Sequence, residues 1–161
     1  RRLLKNKQGK FPYNLPKFHI MQASEILIAE IKSCESLRLK AYRCPAGVPT
    51  IGYGSTKGVR MGMVITKEEA ERRLREDLAV PERFVNSLNV CKTQGQFDAL
   101  VDFAFNVGCG RLKTSTLLKY IKAGKPVSEI QKQFLRWNKA GGKVLAGLTK
   151  RREWEANRYT Q

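Results

Sequence analysis

Apolar positions recur at helical spacing through most of the chain and give way to a β-like pattern in one short stretch. Leu27, Ile28 and Ile31 form a stripe at three- and four-residue intervals behind Ser24, whose hydroxyl suits it to cap a helix. Cys34 extends the stripe and reads as a small core residue, and Glu35 follows at the helix end. From there to Gly54 two short β-like segments flank a Pro-Ala-Gly turn, the second running from Thr50 to Tyr53. Thr66-Lys-Glu-Glu69 has the form of a capping box. It opens a helix with Ala70, Leu74 and Leu78 on one face and Glu and Arg on the other. That helix should run to about Val80, where Pro81 kinks it or opens its successor.

The strongest core helix follows a second capping box, Thr93-Gln-Gly-Gln96. Phe97, Leu100, Val101, Ala104 and Phe105 make a full apolar face, which stops at Asn106-Val-Gly108. A short helix over 114–123 should close at Gly124. Ser128 should cap another that turns Ile130, Phe134 and Trp137 inward, and Lys139-Ala-Gly-Gly reads as a loop. The last helix should begin near Leu148 or Thr149, with Lys150, Arg151 and Arg152 in its first turn. Bases there oppose the helix dipole, so they should answer a nearby acid or an anionic ligand. The pattern predicts an α+β, mostly helical fold: a small hairpin lobe and a helical lobe, with a long one-sided helix as the strut between them.

Charge adds a partner class. The 161 residues carry a formal charge of +17. Residues 1–20 hold six bases and no acid, while the remainder holds 25 bases against 14 acids. We read 1–20 as a basic extension and 21–161 as one domain, with Met21 a possible natural start. Such a balance calls for an anionic partner: nucleic acid, an acidic lipid surface or an acidic wall polymer. No zinc-finger, RRM or basic-zipper pattern accompanies it, which disfavours specific nucleic-acid binding. Cys34, Cys44, Cys91 and Cys109 have neither CxxC spacing nor a neighbouring ligand His, so no metal site is expected, and reduced thiols fit them best. The single histidine, His19, lies in the basic arm and reads as a surface residue. No apolar run reaches the ~18 residues that span a membrane.

Glycosidic cleavage needs a proton for the leaving oxygen and a second group for the cationic sugar or the attacking water. Glu35 is suited to be the acid, because partial burial beside an apolar lobe would keep it protonated. No Asp or Glu lies between Glu35 and Glu68 to serve as its companion; Cys44 and Thr50 stand there instead. Taken alone, Cys44 could equally be a passive turn residue and Thr50 an ordinary strand former.

The spacing Glu35, eight residues, Cys44, five residues, Thr50 resembles the catalytic spacing of phage-type lysozymes (glycoside hydrolase family 24, the endolysins), in which the middle residue is usually Asp and sometimes Cys. The surroundings are similar too: Leu-Arg-Leu-Lys-Ala-Tyr after the Glu, Val-Pro-Thr-Ile-Gly-Tyr-Gly around the Thr, Phe-Ala-Phe-Asn-Val-Gly at 103–108, Arg136-Trp137, and Gly147-Leu148 with Arg151-Arg152. Ser36 and Ser55 depart from the usual Gly and His, with only local effects on turn geometry expected.

The resemblance implies a lysozyme-like two-lobe fold and a monomeric muramidase without cofactor. It would cut the β-1,4 bond between N-acetylmuramic acid and N-acetylglucosamine in peptidoglycan. Glu35 would be general acid, Cys44 base or nucleophile, and Thr50 the group that positions water. A free thiol titrates near about 8.5, so Cys44 needs its thiolate stabilised, for which the field of a basic protein is one source. Tyr42 and Arg136 are weaker candidates for the substrate groove, and Asn106 is expected to bond a helix end. The basic surface would hold the enzyme to anionic wall polymers. The resemblance also implies synthesis in the host cytoplasm and holin-dependent release to the wall. Two rivals remain: a lytic transglycosylase, leaving 1,6-anhydro products, and a basic binding or membrane-disrupting protein without catalysis.

Overall fold

The computed structural model describes residues 20–161; His19 and the rest of the basic arm lie outside the described residues. Seven helices and two hairpins follow in the order α1 (Glu25–Cys34), β1 (Arg38–Arg43), β2 (Pro49–Gly52), α2 (Lys67–Leu88), α3 (Gln94–Val107), α4 (Cys109–Thr114), α5 (Thr116–Lys122), α6 (Val127–Leu135), β3 (Lys139–Ala140), β4 (Lys143–Val144) and α7 (Ala146–Arg158). β1 and β2 pair antiparallel, with Tyr42 opposite Thr50 and Arg43 opposite Pro49.

Two apolar clusters underlie the two lobes. Ala41, Ile51 and Val59 form a small one in the hairpin lobe, while the large one gathers buried residues from α1 through α7. α2 serves both. Gly52, with φ of +65°, lies against Ala70, so that a Cβ at that glycine would come within 3.3 Å of the Ala70 Cβ. Ser55 is buried and donates to Asp77 of α2. It therefore ties the hairpin to the strut rather than only adjusting a turn, which corrects the expectation of a local effect.

α2 passes through Pro81 and continues to Leu88. Proline forfeits one backbone bond, but Leu74, Leu78, Pro81 and Val85 are all buried on one face, and that packing outweighs the loss. The helix ends where Asn89 takes the left-handed conformation. Thr66 caps it as expected, while the Glu69 carboxylate turns to Arg72 and Arg73 instead of back to the cap.

Other expectations shift by a residue or two. α6 starts at Val127 behind Pro126, so Ser128 is not its cap. The 139–142 loop is the turn of a short hairpin. α7 begins at Ala146, earlier than Leu148, which puts Lys150 to Arg152 in its second turn. The helix expected over 114–123 is α5, which starts at Thr116 behind Ser115, whose hydroxyl accepts from the Leu118 N–H, and α4 before it was not expected. Cys34 is exposed, because the packing that buries Ile31 does not extend to the last residue of α1.

α3 is central rather than one-faced: every residue from Phe97 to Ala104 is buried, including Asp98 and Asp102, whereas Phe105 is only half-buried. Asp98 accepts from the Ser24 N–H and hydroxyl, from Gln94, and from Arg158 of α7 at 2.7 and 3.1 Å. It thereby joins the start of α1, the start of α3 and the end of α7. Removing it leaves a largely buried guanidinium and an orphaned N–H. Asp98→Ala should cost about 3–5 kcal/mol of stability in urea unfolding; a loss below about 1 kcal/mol would show that solvent readily replaces the carboxylate.

Candidate active site

Glu35 stands one residue beyond α1, in extended conformation, with its N–H still donating to the Ile31 carbonyl. The apolar stripe ends the helix against the core and leaves this carboxylate at its rim, one third exposed. Its Oε1 accepts from Nη1 of Arg151 at 2.9 Å. Arg151 comes from the opposite end of the sequence and is 5% exposed at its side chain. The same guanidinium uses Nε and Nη2 on the two oxygens of Asp102, at 2.9 and 2.7 Å. Burial by itself would lower the Arg151 pKa, but the charge and hydrogen bonds of Asp102, followed by those of Glu35, push it upward. Of the bases early in α7, Arg151 thus answers acids, as its position against the dipole suggested, and exposed Lys150 does not.

Behind this pair lies a second one. Arg152 and Glu155 are fully buried and approach to 2.8 Å, but off the N–H line, so neither Glu155 oxygen receives a hydrogen bond. Nη2 of Arg152 donates to the Asn106 side chain at 2.8 Å, so Asn106 holds a neighbouring helix's arginine rather than a helix end. Burial pushes the Glu155 carboxyl well above its ordinary range; the charge of Asp102 adds to this and that of Arg152 opposes it. Burial thus favours the protonated form of Glu155 in the folded protein.

Cys44 and Thr50 come together across the mouth of the first hairpin. The Cys44 N–H donates to the Val48 carbonyl and the Gly47 N–H to the Cys44 carbonyl, which folds the Pro-Ala-Gly turn back on itself. Backbone N–H groups of Val48 and then Ala46 hold the Cys44 thiol below its ordinary pKa; slight burial opposes them and the Thr50 hydroxyl adds to them. The cause is local dipoles rather than the distant field of the basic protein. Thr50 is buried and donates to the Val48 carbonyl at 2.9 Å, so its hydroxyl can turn between that oxygen and a thiolate. Tyr42, opposite Thr50 in register, is half-buried, with Arg38 over its ring at 5.2 Å.

Glu35 bonds into the helical body, and only Ser36 and Leu37 separate it from β1. Arg136 is exposed at the end of α6, with its side chain toward Gln133. Asp102 and Glu155 escaped notice in the sequence. The available signal was two aspartates one turn apart on an otherwise apolar helix, matched by arginines two turns apart on the last one. Among the described residues, no three His, Cys, Asp or Glu side chains gather as metal ligands.

Residues 32–155 match the family model described as phage lysozyme. The chain is 49% identical to the endolysin of Bacillus phage B103 over 84% of this chain, and spans about half, 52%, of that relative's length. It is 45% identical to the endolysin of Acyrthosiphon pisum secondary endosymbiont phage 1, over 84% of this chain and 95% of the relative. Among solved structures it resembles the muramidase domain of SpmX from Asticaccaulis excentricus. There the TM-score is 0.80 and the identity 36%, over 87% of this chain and 98% of that one.

Two measurements check the electrostatics. Cys34 is exposed as a residue, but desolvation of its thiol pushes it up to about 11, and burial takes Cys91 to about 12, while Cys109 is also raised. Iodoacetamide at pH 7.5 should therefore label Cys44 before the others, on the order of tenfold faster than Cys34, as followed by peptide mass spectrometry. Labelling of Cys34 first would contradict the assignment. For Glu155, the unfolded chain loses its proton near the ordinary value of 4.5 while the folded protein holds it to higher pH, so stability falls as pH rises above 4.5. Glu155→Gln stays neutral throughout. Its melting temperature should gain on wild type between pH 4 and pH 8, by roughly 2–4 °C per kcal/mol. A difference that stays flat or shrinks with rising pH would mean the carboxyl is ionised in the fold.

Proposed function

The chain belongs to the phage lysozyme family, and from that premise we propose that it is a muramidase hydrolysing the β-1,4 bond between N-acetylmuramic acid and N-acetylglucosamine at the bacterial cell wall. The observation that carries the reading is a carboxyl group at the rim of the helical body, held by a buried arginine, three residues before a hairpin that pairs a thiol of lowered pKa with a hydroxyl.

In this mechanism Glu35 gives its proton to the glycosidic oxygen as the bond to the leaving sugar breaks. Arg151 fixes one of its oxygens and leaves the other for the substrate. Positive charge grows on the ring carbon, and Cys44 meets it as the thiolate that its backbone donors stabilise. The thiolate either takes a proton from a water attacking that carbon, or attacks it and is later displaced by water. Thr50 orients the water through the hydroxyl that already bonds the Val48 carbonyl. Tyr42, on the same stretch of sheet, offers a ring edge to a sugar. The excess of Lys and Arg keeps the protein on an anionic, insoluble substrate.

Glu35→Gln should retain its folded circular dichroism spectrum and lose turnover of purified peptidoglycan by about 10²–10⁴-fold. Mass spectrometry of wild-type digests should find free reducing ends. Products ending in 1,6-anhydro sugars would make the enzyme a lytic transglycosylase instead, and undiminished bacterial killing by Glu35→Gln would favour a basic binder. Cys44→Ser keeping full activity would remove the thiol from the chemistry.

A further inference from the structure

We propose that Asp102 is a positioning residue for glycosidic cleavage: it clamps two nitrogens of the Arg151 guanidinium so that the third fixes Glu35. The inference rests on Glu35 being the proton donor. Arg151 places Nε and Nη2 on Asp102 Oδ2 and Oδ1, and only Nη1 on Glu35 Oε1. A guanidinium is planar and rigid, so holding two of its nitrogens sets the direction of the remaining one. Asp102 is fully buried in the central helix α3, whereas Glu35 lies past the last turn of α1, one third exposed. The donor sits on a helix end with little packing of its own, and its alignment comes from the core through one side chain.

The molecule supplies its own control. Asp98, one turn earlier on α3, makes the same kind of buried pair with Arg158 on the same α7, but Arg158 continues to Gln161 rather than to a site residue. Loss of either pair loosens α3 against α7; only the Asp102 pair leads to Glu35.

The test compares Asp102→Asn and Asp98→Asn in the full chain, below the melting temperature of each, with soluble peptidoglycan fragments as substrate. Asp102→Asn should lower kcat by about tenfold or more with KM within about twofold, because orientation is lost and binding is not. Asp98→Asn should lose comparable stability and keep kcat within about twofold of wild type. If Asp102→Asn does not fold, Arg151→Lys serves in its place: an ammonium cannot clamp Asp102 side-on while aiming at Glu35, so the same kcat loss is expected.

The side-chain Nε–H signal of Arg151 in nitrogen-15 NMR reports the clamp without reference to activity. It should be sharp and slowly exchanging in wild type and in Glu35→Gln, and broadened in Asp102→Asn. Equal kcat losses in the two Asn variants, or a broadened signal with kcat unchanged, would overturn the proposal. If Glu35→Gln proves active, the donor assignment fails, and the NMR signal still decides whether the clamp exists.

Discussion

Two buried aspartates, one helical turn apart on α3, hold two arginines two turns apart on α7. A carboxylate without hydrogen bonds is costly in a protein interior, and so is a guanidinium. Each pair therefore fixes where α7 can lie along α3, since sliding either helix would leave charges unpaired in an apolar surround. Asp98 adds the start of α1 through Ser24, and Asp102 adds its end through Arg151 and Glu35. Three helices far apart in sequence are registered by four side chains.

That registration separates the candidate chemistry into two supports. The carboxyl group of Glu35 belongs to the helical body and inherits its rigidity from α3. Cys44 and Thr50 belong to the hairpin lobe, which has its own small core and meets the body along α2 through Gly52 on Ala70 and Ser55 on Asp77. Small motions of the hairpin on that seat would move the thiol and hydroxyl relative to Glu35 without disturbing the donor. The thiol is prepared locally: turn N–H groups lower its pKa wherever the lobe stands.

Glu155 shows what a crowded charge cluster does with an excess carboxyl. Arg151 and Arg152 face Asp102, Glu35 and Glu155, and the buried carboxyl that receives no hydrogen bond is the one whose pKa is pushed up. Neutralising it is cheaper than burying a third anion beside two cations. The cluster therefore loses stability with rising pH while leaving Arg151 committed to Asp102 and Glu35.

Helical periodicity in the sequence determined the elements with local causes: the Ser24, Thr66 and Thr93 caps, the stripe of α1, the stop at Gly108 and the hairpin with its turn. The motif spacing determined the family. Element ends that depend on packing were less legible, as at Pro81, where a buried face carried α2 past a residue that locally breaks helices. So was the exposure of Cys34, which fits its stripe but not the core. Tertiary structure alone decided the partners. That Arg151 serves both Asp102 and Glu35, that Asn106 holds Arg152 and that the Glu155 pKa is raised all depend on contacts across 46 to 116 residues, or on complete burial. Periodicity reports which face of an element turns inward; which side chain it meets there is set only when the elements pack.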